Sequence, residues 1–161
     1  MTRDRTGDSP HPGATHTPDR LRRRASRLLS QMSVRSDRLV NEGLAHVDAR
    51  KWHYAVLASL RDIGPASQAA LSERTGVYRS DMVGVLNELA GRDLVERAPD
   101  PDDRRRNIIT ISPRGHRYLL RLDKILDDVH DELLAPLTPT ERDQLVALLL
   151  RLLDHHDGRA S

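Results

Sequence analysis

The stretch Leu94-Val95-Glu96-Arg97-Ala98-Pro99-Asp100-Pro101-Asp102-Asp103-Arg104-Arg105-Arg106-Asn107-Ile108-Ile109-Thr110-Ile111 decides the fold. Two short β-prone runs, Leu94 to Arg97 and Asn107 to Ile111, flank a loop of proline and charge, which is the pattern of a β-hairpin with a charged tip. Two helical segments lie just upstream. Ser67 to Thr75 has a candidate N-cap in Ser67, Gly76 breaks the pattern, and a helix from about Arg79 to Arg92 turns Met82, Val85, Leu86 and Leu89 to one face. Helix, tight glycine turn, helix and charged hairpin, in that order, describe a winged helix-turn-helix unit over residues 63–112. A helix fits the major groove of DNA and shows side chains to base edges, while a charged ribbon reaches a neighbouring minor groove or phosphates.

Outward from this unit the chain is helical. From Asp19, apolar residues Leu21, Ala25, Leu28, Met32, Leu39, Val40 and Leu44 predict one long amphipathic helix with Asp19 as its N-cap. A second helix runs from about Lys51 to Asp62 with Val56, Leu57 and Leu60 inward, and Gly64-Pro65 ends it. Ser112-Pro113 reads as an N-cap and first-turn proline for a helix carrying Leu119, Leu122, Leu126, Val129 and Leu133, stopped by Pro136. Thr138-Pro139-Thr140-Glu141 is a capping box opening a last helix with Leu145, Leu148, Leu149, Leu152 and Leu153. Residues 1–18, rich in Gly, Pro and polar side chains without an apolar period, read as a disordered tail. The expected fold is mainly α with a small β-hairpin wing. Its long flanking helices carry more apolar stripe than one winged unit of about 50 residues can cover, so residues 19–62 and 113–156 are assigned to a helical dimerisation region.

Composition supports helices and removes several alternatives. Of 161 residues, 24 are Leu and none is Phe, and the aromatics are Trp52, Tyr54, Tyr78 and Tyr118 alone. That argues against folds that stack single-stranded nucleic acid on rows of rings. With no Cys there is no disulfide, thiolate catalysis or thiol redox sensing, which fits the cytoplasm. No apolar run approaches the length of a membrane span, and the N-terminus lacks a signal-peptide core. The net charge of +2 hides an uneven distribution: residues 1–40 hold nine basic and four acidic side chains, residues 61–112 eight and nine. Any case for nucleic acid therefore rests on where individual arginines sit. The excess of Arg over Lys is equally the codon bias of a GC-rich genome.

The wing run Leu94-Val95-Glu96-Arg97 with Asp100-Pro101-Asp102-Asp103-Arg104-Arg105, followed by Ile109-Thr110-Ile111-Ser112-Pro113-Arg114-Gly115, resembles the signature of the MarR family of bacterial transcription regulators. The resemblance covers roughly residues 19–156. It implies a homodimer whose two winged units bind successive major grooves of a pseudo-palindromic operator in double-stranded DNA. It further implies that Arg79, Ser80, Val83, Gly84 and Asn87 face the DNA. Arg105 would enter the minor groove, Asp103 would orient it or brace the wing, and Arg104 and Arg106 would add phosphate contacts. Ser80 is equally a candidate helix cap. Two positions depart from the family pattern: Gly84 stands where an arginine is common, and Asp93 where a helix-ending glycine is common, which suggests left-handed backbone there. The arginines between Arg20 and Arg27 read as a solvated face remote from the bases.

Family members commonly sense phenolic or other lipophilic compounds, and His46, Arg50, Trp52 and His53, with Tyr54 beside them, are the candidate binders of an anionic aromatic effector. The competing reading makes Trp52 and Tyr54 plugs at a junction. The function these readings imply is a sequence-specific, DNA-binding transcription regulator, a repressor relieved by a small ligand. A helical protein-interaction module, with the winged unit gripping another protein, is the alternative. No phosphate loop, thiol or His-x-x-x-His pair suggests catalysis, and neither a cofactor nor a metal is expected.

Overall fold

A computed structural model describes residues 18–103 and 106–158. The tail expectation for residues 1–17, and the contacts expected of Arg104 and Arg105, lie outside the described residues. The chain divides into two units, residues 1–35 and 36–161.

The first unit holds α1 (Asp19–Arg22) and the start of α2 (Ala25–Ala45). Two expectations are corrected here. The helix from Asp19 is not continuous, and its N-cap is Pro18, extended at φ −54 and ψ 140, with Asp19 in the first turn. Pro18 has no N–H to leave unpaired, and Asp19 still sets a carboxylate at the positive end of the helix. The interruption falls within Arg22-Arg23-Arg24, so that Arg20 and Arg22 occupy the last turn of α1, where the helix dipole favours cations. Leu21, Leu28, Leu29, Met32 and Val34 are exposed.

The second unit contains the rest of α2, then α3 (Lys51–Asp62), β1 (Ala66–Ser67), α4 (Gln68–Thr75), α5 (Arg79–Gly91), β2 (Val95–Pro99), β3 (Asn107–Ile111), α6 (Pro113–Leu133) and α7 (Pro139–Asp157). The helix caps behave as their residue types dictate. Ser67 Oγ accepts the Ala70 N–H, Ser112 Oγ accepts the Gly115 N–H, and Thr138 and Glu141 satisfy each other's backbone. Gly76 closes α4 in left-handed geometry at φ 70, where a Cβ would be strained. Asp93 takes the same region at φ 57, as its place in the motif suggests.

The hairpin pairs β2 with β3 from Val95 opposite Ile111 to Pro99 opposite Asn107. A third strand, not anticipated from the sequence, adds to its other side: β1 pairs antiparallel with β3, giving the order β1-β3-β2. With only two residues, β1 has no alternation to read. The core joins Val56, Leu57 and Leu60 of α3, Leu71 of α4, Met82, Leu86 and Leu89 of α5, Leu94, Ile109, and Leu119 and Leu122 of α6. Leu94 is central to the wing base. Its carbonyl accepts the Ser112 N–H at 3.1 Å, its N–H donates to Leu89, and a Cβ on Gly115 would lie 2.1 Å from its oxygen. The Ser112 hydroxyl donates to the Asp93 carbonyl at 2.6 Å. The Ser-Pro-Arg-Gly run is thus the joint that fastens α6 to the sheet.

In contrast, α7 has no buried residue; Val146, Leu148, Leu150, Leu152 and Leu153 are exposed. Among the described residues no helix is long and apolar enough to cross a membrane.

Candidate functional site

Helix α5 buries one face through Met82, Val85, Leu86 and Leu89, and the same periodicity turns Arg79, Ser80, Val83, Gly84 and Asn87 outward. Its N-cap position belongs to Tyr78, so Ser80 is not the cap; its hydroxyl lies 3.4 Å from Asp81. Among the described residues Arg79 is held only by a distant pair with Glu73, 3.6 Å apart, with both side chains more than 70% exposed (72% and 74%). Such a pair contributes little and leaves the guanidinium available. Open space surrounds Gly84.

Two further residues belong to this surface. Tyr78 is 79% exposed at the head of the helix. Its signal was an aromatic standing directly before the second helix in a chain with only four. Arg97 of β2 donates from Nη2 to the Asn87 amide oxygen at 2.9 Å. Reading it as part of a β-prone run hides this role, because only the packing of the sheet beside α5 sets the two side chains together.

The tip of the hairpin is closed by its own backbone. Asp100 N–H donates to the Arg106 carbonyl at 2.8 Å, Arg106 N–H donates to the Asp103 carbonyl at 2.9 Å, and Asp100 Oδ1 accepts the Asp102 N–H. The Arg106 guanidinium turns toward the start of α4, 3.4 Å from Ser67 Oγ. With Arg97, Gln68, Leu86 and Asn107 it lines a shallow concavity of about 290 Å³.

At the other end of α5 lies a second concavity of about 500 Å³, lined by Asp48, Arg50, His53, Glu88, Gly91 and Arg92. Arg50 and the buried His53 converge on one carboxylate, Glu88 of α5: the guanidinium forms an ion pair with it, and His53 Nε2 lies 2.9 Å from its Oε2. Arg50 N–H donates to His53 Nδ1 at 3.2 Å, which leaves the proton of the neutral imidazole on Nε2, directed at Glu88. Burial, above all, holds the His53 pKa below its usual value; the Glu88 carboxylate opposes this, and the Arg50 charge adds to it. Glu88 is held below the usual carboxylate range chiefly by its hydrogen bond from Arg50.

Of the four candidate effector residues, Arg50 and His53 line this cleft, whereas His46 and Trp52 do not. Trp52 packs half-buried on the core beneath the Lys51 ammonium, 4.9 Å from its ring centre. Tyr54 donates to Asp123 of α6 at 3.0 Å, which fits a structural plug. The same junction is braced by Arg92, which donates to the Asp48 carbonyl at 2.7 Å and stacks over the Tyr118 ring, and by the Tyr118 hydroxyl, which donates to Val47 at 2.9 Å.

An exposed helix backed by a three-stranded wing defines a winged helix-turn-helix protein. The model of the MarR family matches residues 47–106. The HTH-type transcriptional repressor NicR of Pseudomonas putida is 27% identical over 143 residues, covering 89% of this chain and 90% of NicR. A Pseudomonas aeruginosa protein described as a probable transcriptional regulator superposes with a TM-score of 0.71 at 31% identity, covering 82% of this chain and 98% of its own. A C80S mutant of Escherichia coli MarR, complexed with operator DNA, superposes with a TM-score of 0.69 at 28% identity, covering 80% and 92%. The chain belongs to the MarR family and is a DNA-binding transcription regulator, not an enzyme.

Proposed function

We propose that the protein is a homodimeric repressor that sits on a pseudo-palindromic operator and leaves it when a small lipophilic anion binds. Arg79, Ser80, Gly84 and Asn87 meet the major groove. The wing delivers Arg105 to the minor groove, Asp103 braces it, and Arg104 and Arg106 take phosphates. Residues 63–112 form the DNA-binding unit, and residues 19–62 and 113–156 the dimerisation region, acting in the cytoplasm. The observation that carries this reading is the exposed face of α5, whose Arg79 has no strong partner competing with DNA. The exposed leucines of α7 support the dimer, since a helix with no buried residue needs a partner surface. Arg50 and His53 are the anion-binding groups.

Footprinting of the purified protein on the DNA upstream of its own gene tests the reading. A protected pair of half-sites about one helical turn apart is expected, with affinity falling steeply as salt rises. Arg105→Ala should weaken that binding by about tenfold or more while leaving the dimer intact. Unchanged affinity would remove the wing from the interface, and salt-independent binding would favour the protein-interaction alternative.

A further inference from the structure

Arg97 occupies a position in β2 where a charge is unexpected. It pairs with Ile109 across the sheet, and directly opposed residues share a face. Ile109 is buried against the helices at 2% exposure, so Arg97 points the same way, whereas Glu96, opposite the exposed Thr110, points to the other face. A guanidinium on that face meets α5, and there it finds Asn87: Arg97 Nη2 donates to the amide oxygen at 2.9 Å. The chemistry leaves no choice of atom. A guanidinium carries five donors and no acceptor, so only the oxygen of the amide satisfies it, and the NH2 group is carried on the other branch of the planar amide, away from Arg97. Asn87 is exposed, and among the described residues nothing accepts from its Nδ2.

Asn87 stands on the exposed stripe of α5 that begins at Arg79 and Ser80, one turn beyond Val83 and Gly84. A Cβ at Gly84 would meet nothing within 4 Å, so a base edge can come close beside it. An unconstrained asparagine reads adenine, since its oxygen accepts from N6 while its nitrogen donates to N7, and both halves of the amide are needed. Asn87 has spent one half. With Oδ1 turned to Arg97 it offers the groove donors alone, which suit guanine, whose O6 and N7 both accept, and which are opposed by the amino groups of adenine and cytosine.

We propose that Arg97 is a specificity-determining positioning residue: by holding the Asn87 amide oxygen, it turns Asn87 from a reader of adenine into a reader of guanine. The wing strand thereby sets a base preference without touching a base. This deepens the regulator reading above and rests on it for the placement of α5 in the major groove, but not for the orientation of the amide.

The test is selection of duplex DNA from a library randomised across the footprinted half-site, run with the full chain and its variants. Asn87→Ala identifies the base pair concerned, as the one position whose preference it relaxes. The unmodified protein should prefer guanine over adenine there by about tenfold, within what one good pair of hydrogen bonds supplies. Arg97→Met, which keeps an extended side chain and removes the donors, should reverse that preference toward adenine at this position and leave the other positions as they were. Arg97→Lys, which restores a donor, should restore guanine. Asn87→Asp keeps one oxygen for Arg97 and presents the other outward, so the preference should pass to cytosine, whose N4 donates. In free protein labelled with ¹³C, Arg97→Met should move the Asn87 side-chain carbonyl resonance, with the denaturation midpoint recorded alongside to show that the variant is folded. Adenine preferred by the unmodified protein, Arg97→Met that weakens all sequences alike without changing the preference, Asn87→Ala that relaxes no position, or an Asn87 carbonyl that stays in place would each overturn the proposal. If the unmodified protein enriches no sequence, the operator reading fails, while the carbonyl resonance still decides whether Arg97 holds the amide.

Discussion

The two ends of helix α5 are held in opposite ways. Its N-terminal half, from Tyr78 to Gly84, presents exposed side chains whose ties to the rest of the protein are weak, the 3.6 Å pair of Arg79 with Glu73 and the 3.4 Å contact of Ser80 with Asp81. Its C-terminal half and C-cap are fastened on three sides: Asn87 to Arg97 of β2, Glu88 to His53 of α3 and to Arg50 at that helix's N-cap, and the C-cap Arg92 to Asp48 and Tyr118. The groups at the head of the helix that are to meet DNA are little spent on internal partners, Asn87 alone of the DNA-facing set being tied, through its amide oxygen to Arg97, whereas the groups that set the pose of the helix are paired. A regulator needs both on one rigid element, because a disturbance at the fastened end then reaches the exposed end without passing through a flexible link.

The harshest way to break this contrast is to unseat the base of the fastened end. Gly115→Ala drives a Cβ into the Leu94 carbonyl, and Leu94 in turn holds the last turn of α5 through Leu89. A loss of about 3 kcal/mol in chemical denaturation is expected, at the upper end of overpacking penalties because backbone cannot yield as a side chain does. Arg79→Ala acts on the other end. It should cost about 1–3 kcal/mol of operator affinity and change the denaturation midpoint hardly at all, so a large stability loss would mean that the exposed end is fastened after all.

Gly84→Ala sharpens the comparison from the same face. The added methyl meets open space, and the helix gains propensity, so stability should rise by about 0.5–1 kcal/mol. The smallest effect concerns acid. Folding depresses the His53 pKa, so the unfolded chain binds its proton more readily as pH falls through and below the ordinary value near 6.5. Stability present above that value should therefore decline on acidification. His53→Gln should flatten this part of the profile, measured as the urea midpoint against pH.

Much of this architecture was legible because it is local. Ser67, Ser112 and Thr138 cap the helices they were assigned, Gly76 and Asp93 take left-handed backbone where the pattern demands it, and the apolar face of α5 is the one its spacing marks. The misreadings have physical causes. Pro18 displaces Asp19 as cap and the first helix is interrupted within Arg22-Arg23-Arg24, where the apolar spacing runs on and so gives no sign of a break. Strand β1 escaped notice because two residues carry no period. Of the candidate effector residues, the family resemblance and side-chain chemistry together selected His46, Arg50, Trp52 and His53, and only packing separates the two that line the cleft from the two that do not.

What the amino-acid order determined by itself was the succession of helices, the hairpin, and the exposed arginine at the head of α5, since caps, turns and amphipathic stripes act over a few residues. Which charge meets which was decided only in three dimensions. Glu88 lies 38 positions from Arg50 and 35 from His53, and no spacing rule connects them. Their convergence depends on α3 and α5 packing across a shared leucine core, which brings a carboxylate of the recognition helix to the pair of donors lining the cleft from α3 and its N-cap.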